Sequence, residues 1–272
     1  GIPMLFAFDV IHGYRTIFPV PLAETASWDT ELAQKTAAVA ALEASAVGLK
    51  WTFAPMVDIA RDPRWGRIVE GAGEDPHLGS LMARARVLGF QGSNPAAPDK
   101  VMACAKHWVG YGAAEGGRDY NGVEISDSTL REIYFPPFKA AVDAGVGTFM
   151  SAFNDINGVP ASANPFTLKT ILKNAWNFSG FVVSDYESIK ELIVHGLASD
   201  ASSAADYALN AGVDMEMVST TYRDNVPDLL KRDRVSEAVL NDSVRRILRK
   251  KFELGLFENP YVDESRESTD LE

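Results

Sequence analysis

The chain has 272 residues, 46% of them hydrophobic and 23% charged, which is the composition of an ordinary globular protein. Its formal net charge of -11 argues against nucleic acid and anionic membranes as partners, because both would repel an acidic surface. No run of about 18 apolar residues occurs that could span a membrane, and the single cysteine, Cys104, excludes an intrachain disulfide bond.

Short apolar runs alternate with helical patterns along the chain. The predicted strands are residues 4–9, 50–56, 101–105, 147–152, 181–184 and 213–218. The predicted helices are residues 30–47, 77–90, 130–144, 167–176, 188–195, 202–211 and 237–256. This alternation predicts an α/β fold with a parallel sheet, and the length suits a TIM-type (β/α)8 barrel of about 250 residues. Fewer than eight strands are found and the first lies at the very start, so we expect a barrel that is incomplete at its N-terminus, in a fragment of a longer protein.

Two further segments stand out in composition. Residues 259–272 are polar and charged, which predicts a tail or the start of an interdomain linker after a barrel domain at residues 1–258. Residues 110–121 form the longest polar loop inside the predicted fold and are rich in glycine. Long loops in compact domains are usually functional, so this loop is a candidate part of a site.

Polar side chains follow the predicted strands at the point where each one ends. They are Asp9, Asp58, Lys106, His107, Asn154, Asp185, Asp214 and Glu216. The carboxyl ends of parallel barrel strands meet at one rim, where catalytic side chains lie. Asp185 directly follows a short buried run and is therefore a candidate nucleophile or base. The alternative is that Asp185 merely caps the helix that follows it.

Two clusters of cations could hold a ligand. Lys106, His107 and Trp108 combine a cation, a hydrogen-bonding ring and an aromatic surface, as a sugar site requires; the alternative is a structural Lys–Asp pair beside a core histidine and tryptophan. His107 is a poor metal ligand candidate because no second histidine lies at the usual spacing. The segment at 61–67, RDPRWGR, holds three arginines whose charge the acids at 70, 74 and 75 could neutralise, and it could bind hydroxyl pairs.

Taken together, these motifs resemble those of a known family. The matching segments are FAFDVIHG (6–13), APMVD (54–58), RDPRWGR (61–67), GEDP (73–76), KH (106–107), NGVP (157–160) and VSD (183–185). In this order they resemble the barrel domain of family 3 glycoside hydrolases, particularly the bacterial periplasmic-type β-glucosidases. The matches cover almost the whole chain.

The resemblance implies a role for each matching residue. Asp185 matches the nucleophile of a retaining mechanism, in which a carboxylate attacks the anomeric carbon and forms a covalent glycosyl–enzyme. Asp9 matches the acid that holds hydroxyls at the non-reducing end of the sugar. The remaining substrate-binding candidates are Arg67, Lys106, His107, Arg118, Met150 and Phe153, of which the last two match pocket-wall positions. Many members of the family have tyrosine where Phe153 stands, so one hydrogen bond near the nucleophile is missing here.

Retention also requires a general acid. In two-domain members a glutamate from the domain after the barrel supplies it, whereas a single-domain branch uses a His–Asp dyad in the loop after Lys-His. The loop at 112–120 contains no histidine, so the resemblance favours the two-domain type, with its acid on a second α/β domain. Glu115, Glu187 and Glu216 are internal alternatives.

The resemblance therefore implies a retaining, exo-acting β-glucosidase that releases glucose from the non-reducing end of a β-linked glucoside or oligosaccharide. The alternatives are a truncated, non-catalytic sugar-binding barrel and a β-xylosidase. Neither a metal nor an organic cofactor is predicted, because the chemistry needs none. By family resemblance the protein is expected to be periplasmic or secreted.

Overall fold

A computed structural model describes residues 1–271. Its centre is a set of parallel strands: β1 (Ala7–Phe8), β2 (Trp51–Thr52), β3 (Cys104–Trp108), β4 (Thr148–Ser151), β7 (Phe181–Tyr186) and β8 (Met215–Met217). β1 pairs with β2, and a second sheet has the order β3-β4-β7-β8. The two short strands β5 (Asp155–Ile156) and β6 (Val159–Pro160) form a separate antiparallel hairpin.

The two parallel sheets are joined along the backbone that continues β2. Parallel bridges connect Trp51 with Met102 and Met56 with Lys106, and Cys104 N donates to Ala54 O at 2.8 Å. The parallel strands therefore follow one another in the order β1-β2-β3-β4-β7-β8, as around a barrel. Within residues 1–271 no strand pairing joins β8 back to β1, so the barrel has an open seam between these two strands.

Helices cover the outside of this sheet. The α-helices are α1 (Pro21–Thr25), α2 (Thr30–Ala46), α3 (Pro76–Gln91), α4 (Asp127–Thr129), α5 (Phe135–Asp143), α6 (Ala201–Ala211), α7 (Thr221–Lys231), α8 (Glu237–Glu253) and α9 (Ser265–Asp270). Leu130–Tyr134 and Phe166–Ala175 are π-helical. The start of α2 is fixed by Asp29, whose side chain accepts from Leu32 N at 2.9 Å, and α3 begins at Pro76 directly after its N-cap, Asp75.

Two apolar clusters hold these layers together. The larger one lies between the strands and the helices α2, α3 and α5 and includes Trp108, Phe138 and Phe149. The second joins side chains of the strands, such as Trp51 and Phe181, to Leu254 and Leu256 after α8. Burial of apolar area on this scale is the main favourable term in folding.

The predicted α/β barrel architecture is confirmed, and all six predicted strands occur where the sequence placed them. The predicted helix at 188–195 is wrong: the structure has turns and one short 3-10 helix, Lys190–Leu192, there. The chain enters this segment through Glu187 with φ of 55°, outside the right-handed helical region. α7 was not predicted, because Pro227 and many charges interrupt its apolar pattern.

The polar C-terminal segment contains structure of its own. α9 packs on α2, and Arg266 donates to Pro98 O at 2.7 Å and to Asp270 at 2.7 Å. Within residues 1–271, the helices are too short or too polar to cross a membrane.

Candidate active site

Asp185 lies near the carboxyl end of β7, which runs between β4 and β8. Its side chain is only 12% exposed. Oδ1 accepts a hydrogen bond from Tyr186 N at 2.7 Å, while Oδ2 is buried and has no hydrogen-bond partner among residues 1–271. The side chain therefore does not cap the segment that follows, and one of its oxygens is left for another group. Among buried polar atoms this is exceptional, because nearly all are hydrogen-bonded.

The surroundings of Asp185 determine its charge. Burial raises the pKa of its carboxyl to about 6, although the hydrogen bond from Tyr186 N and the cations Lys106 and Arg67 act in the opposite direction. Asp9 raises the pKa slightly further. At neutral pH the carboxyl is mostly ionised, and it is poorly solvated and close to cationic groups. This is a suitable state for a nucleophile.

His107 lies beside Asp185 and is completely buried. Its Nε2 is 3.5 Å from Asp185 Oδ2 and 3.1 Å from Arg67 Nη2, and its Nδ1 is 2.8 Å from Asp58 Oδ2. Burial lowers the pKa of His107 well below its usual value, and the charges of Arg67 and Lys106 lower it further. The ring is therefore neutral, and its contact with Asp185 is not a salt bridge.

Arg67 and Lys106 bring positive charge to the same place. The short 3-10 helix Gly66–Glu70 carries Arg67, whose guanidinium donates to both carboxylate oxygens of Glu70, at 2.8 and 3.2 Å. Lys106 comes from β3 and is 5% exposed, and its Nζ donates to Asp9 Oδ1 at 2.7 Å. Asp9 follows β1 and is 56% exposed, so it presents a carboxylate to solvent at the rim. The arrangement can offer both donors and acceptors to a polyhydroxyl ligand.

An aromatic wall adjoins these charges. Tyr111 has its ring 5.1 Å from that of His107, and Phe153 lies 5.8 Å from Tyr111 and 4.8 Å from Tyr120. Arg67 lies over the Tyr111 ring at 5.5 Å. Such a wall gives an apolar surface beside the polar groups, as ligand sites commonly have.

Five of the predicted site residues lie together: Asp9, Arg67, Lys106, His107 and Asp185. They either contact one another directly or have charges that shift the pKa of Asp185. Phe153 joins them through the aromatic wall. Met150 on β4 is buried in the second apolar cluster with Trp51 and Phe181. Arg118 is exposed in the loop, and within residues 1–271 its side chain makes no hydrogen bond or ion pair with the other site residues.

Of the two alternatives for Trp108, the structure supports a core tryptophan and not an aromatic surface for a ligand. Trp108 is fully buried and packs against Phe135, Phe138, Phe149 and Trp176 on the helical side of the sheet. Asp58, Tyr111 and Tyr120 also lie at the site, although no specific role was predicted for them. Asp58 was signalled by its position at a strand end, whereas the two tyrosines carry no such signal.

The other predicted strand-end acids are engaged elsewhere. Asp214 accepts hydrogen bonds from Lys173, Ser243 and Val182 N. Glu216 accepts from Thr221 N and Tyr222 N, each at 2.8 Å, and so caps α7. Two further glutamates were internal alternatives for the general acid. Of these, Glu187 pairs with Lys190 at 3.1 Å. Glu115 is exposed in the glycine-rich loop.

Comparison with known proteins gives a consistent result. Residues 1–250 match the family model described as glycosyl hydrolase family 3 N terminal domain. A periplasmic β-glucosidase of Salmonella typhimurium is 46% identical over 260 residues, which are 96% of this chain and 34% of that protein. A putative β-xylosidase of Formosa agariphila is 37% identical over 271 residues, 97% of this chain and 36% of that protein.

A crystal structure of a β-glucosidase from Listeria innocua in complex with glucose superimposes with a TM-score of 0.97. It is 43% identical, and the match covers 99% of this chain and 38% of that one. The chain thus spans about a third of the length of the relatives it matches.

Proposed function

Since the chain belongs to glycosyl hydrolase family 3, we propose that it forms the sugar-binding barrel of a retaining, exo-acting β-glucosidase with Asp185 as the nucleophile. The observation that carries this proposal is the buried, unpartnered Oδ2 of Asp185, next to His107 and close to two cations. A carboxylate in this position can attack only a ligand that enters the pocket beside it. The substrate class is a β-linked glucoside or oligosaccharide.

In the proposed reaction, Asp185 Oδ2 attacks the anomeric carbon as the bond to the leaving oxygen breaks, and a general acid gives that oxygen its proton. A water molecule then hydrolyses the glycosyl–Asp185 ester and restores the carboxylate. Arg67, Lys106, His107 and Asp9 bind ring hydroxyls. Arg118, Met150 and Phe153 complete the proposed set of substrate-binding residues.

The general acid requires a second carboxyl about 5–5.5 Å from the nucleophile in a retaining enzyme. Glu216 and Glu187 are held by other partners, as a helix cap and an ion pair. The relatives are about three times as long as this chain. We therefore propose that the acid comes from a second domain of the full-length protein, after a barrel domain at residues 1–258 and a linker from residue 259. By analogy with the Salmonella relative, the protein would act in the periplasm or outside the cell.

Asp9 supports glucose as the preferred sugar. One of its carboxylate oxygens is occupied by Lys106, and the residue remains 56% exposed at the rim, where it can accept hydrogen bonds from a hydroxymethyl-bearing ring. A β-xylosidase is the second candidate, because the Formosa relatives of that name are 37% and 38% identical. Comparison of aryl β-glucoside and β-xyloside turnover by the full-length protein distinguishes the two.

The nucleophile is tested with dinitrophenyl 2-deoxy-2-fluoro-β-glucoside, whose leaving group needs no acid. Intact-mass measurement of the 272-residue chain should show one added fluoroglucosyl group, located on Asp185 by peptide mapping. Labelling should vanish in Asp185→Asn and persist in Asp155→Asn, a carboxyl-to-amide control at a residue that pairs with His195 instead. Binding of glucose without any labelling would favour the non-catalytic alternative, and labelling at another carboxyl would refute the assignment.

A further inference from the structure

His107 is held from two sides by groups that fix where its proton lies. On one side, Asp58 Oδ2 faces both the backbone N of His107 at 2.9 Å and its Nδ1 at 2.8 Å. On the other side, Arg67 Nη2 approaches Nε2 at 3.1 Å. An arginine nitrogen can only donate, so Nε2 must be the unprotonated acceptor of the ring. The ring proton of the neutral imidazole is then on Nδ1, where Asp58 accepts it.

The neighbouring groups favour the same assignment. Burial raises the pKa of Asp58 to about 8, so this carboxyl can hold a proton at neutral pH. Oδ2 already accepts the backbone N–H of His107, and Oδ1 has no hydrogen-bond partner within residues 1–271, so such a proton belongs on Oδ1 and Oδ2 still accepts from Nδ1. An imidazolium would add a third positive charge beside Arg67 and Lys106 in a fully buried place. A neutral, Nδ1-protonated His107 avoids this third charge, and Asp58 Oδ2 can accept its ring proton whether or not Oδ1 is protonated.

We infer that Asp58 is a positioning residue that fixes His107 as a hydrogen-bond acceptor in the pocket, an inference that deepens and rests on the proposed function. The single lone pair of Nε2, which accepts from Arg67 Nη2 at 3.1 Å, lies on the side of Asp185 Oδ2, 3.5 Å away. A sugar hydroxyl that enters between His107 and Arg67 donates its proton to Nε2 and accepts from the Arg67 N–H that this releases. His107 and Arg67 thus act as an acceptor and a donor that together recognise a single hydroxyl group.

Two features make this pair rigid. Glu70 binds the Arg67 guanidinium through two hydrogen bonds, so the donor cannot rotate away from Nε2 without breaking them. The His107 ring is completely buried and also packs edge-on against Tyr111. The acceptor is therefore oriented before any ligand arrives, which lowers the entropic cost of binding.

The tautomer can be observed directly by nuclear magnetic resonance. The chain has only four histidines, so isotope-labelled histidine gives a simple proton–nitrogen correlation spectrum, in which His107→Gln assigns the relevant signals. In the wild-type chain at neutral pH we expect a protonated Nδ1 and an unprotonated Nε2 for His107. A protonated Nε2 would overturn the inference, whether or not the chain is a glycosidase.

Two substitutions test the part played by Asp58. In Asp58→Asn the amide oxygen can take the place of Oδ2 and keep both hydrogen bonds, so the His107 signals should retain the same pattern. In Asp58→Leu neither the backbone N–H nor the Nδ1–H of His107 has an acceptor, and the pattern of a protonated Nδ1 and an unprotonated Nε2 should be lost. Asp155→Leu is the matched control, because Asp155 holds His195 at 3.0 Å and its loss should leave the His107 signals unchanged. An unchanged His107 pattern in a folded Asp58→Leu variant would refute the role of Asp58.

Labelling kinetics give a second readout. In Asp58→Leu, the fluoroglucoside concentration for half-maximal labelling should rise about tenfold, with a smaller change in the maximal rate, because the sugar is bound less well while Asp185 is intact. Asp58→Asn should restore most of the affinity. A fall in the maximal rate alone would contradict a positioning role in sugar binding. Complete absence of labelling in the wild-type chain would count against the proposed function and leave the tautomer measurement valid.

Discussion

The clearest quantitative prediction concerns the free energy that Asp185 costs the fold. Burial raises the pKa of its carboxyl from 3.8 to about 6, a difference of about 2 units. One pKa unit corresponds to about 1.4 kcal/mol, so holding the ionised carboxylate in this place destabilises the folded state by about 3 kcal/mol. In Asp185→Asn, an amide oxygen can keep the hydrogen bond from Tyr186 N, and the buried charge is removed. The substitution should therefore raise the free energy of unfolding by about 2–3 kcal/mol at neutral pH.

The size of this stabilisation depends on pH in a defined way. The folded state binds the proton of Asp185 more tightly than the unfolded state does, so the cost is absent below pH 3.8 and complete above about pH 6. Urea unfolding of the wild type and Asp185→Asn across this range should give curves that diverge as the pH rises and run parallel above pH 6. In a domain of this size, the difference at neutral pH corresponds to about 4–12 °C in Tm. An Asp185→Asn variant that is no more stable than the wild type at neutral pH, or whose advantage does not change with pH, would refute the reasoning.

The remaining predictions concern one buried ion pair away from the site and the groups that set the charge of Asp185. Asp214→Asn should have the opposite effect and destabilise the chain by about 3–5 kcal/mol in urea unfolding, because it leaves the buried Lys173 unpaired; a loss below 1 kcal/mol would contradict this. The rate of fluoroglucoside labelling should rise with pH and reach half its maximum near pH 6, as Asp185 ionises, and a rate independent of pH between 5 and 7 would argue against this nucleophile. Lys106→Met should move that midpoint to higher pH, because a cation that lowers the pKa of Asp185 is removed. It should also weaken glucose binding measured by calorimetry, because Asp9 loses its partner. A midpoint at the same pH as in the wild type would show that Lys106 does not influence the pKa of Asp185.

Much of the fold follows from local pattern. The apolar runs that became strands are short and bounded by turn residues, and the start of α2 is fixed by the side chain of Asp29, a residue type that favours helix N-caps. α7 could not be found in this way, because it contains Pro227 and its start is held by the side chain of Glu216 on the preceding strand β8 rather than by its own periodicity. The helix predicted after Asp185 failed because Glu187 turns the chain away from helical geometry, which the residue type does not reveal.

The site was predictable to the extent that strand ends meet at one rim. That rule collects Asp9, Lys106, His107 and Asp185 without any knowledge of their contacts. It cannot say which neighbour along a strand faces the pocket: Lys106 and His107 do, whereas Trp108, the next residue, packs into the helical layer. It also cannot distinguish acids that serve the pocket from those, such as Asp214, that hold helices to the sheet.

The open seam between β1 and β8 has a consequence for the rim itself. Asp9 follows a strand that pairs over only two residues, Ala7 and Phe8, on one side, and that has no strand partner on the other side within residues 1–271. Backbone amides in such a segment exchange with solvent by local fraying, long before the whole domain opens. The Lys106–Asp9 ion pair connects the end of β1 to β3 across the intervening β2, and we expect it to limit this fraying. Sugar affinity should therefore fall in any variant in which hydrogen exchange at Ala7 and Phe8 becomes faster.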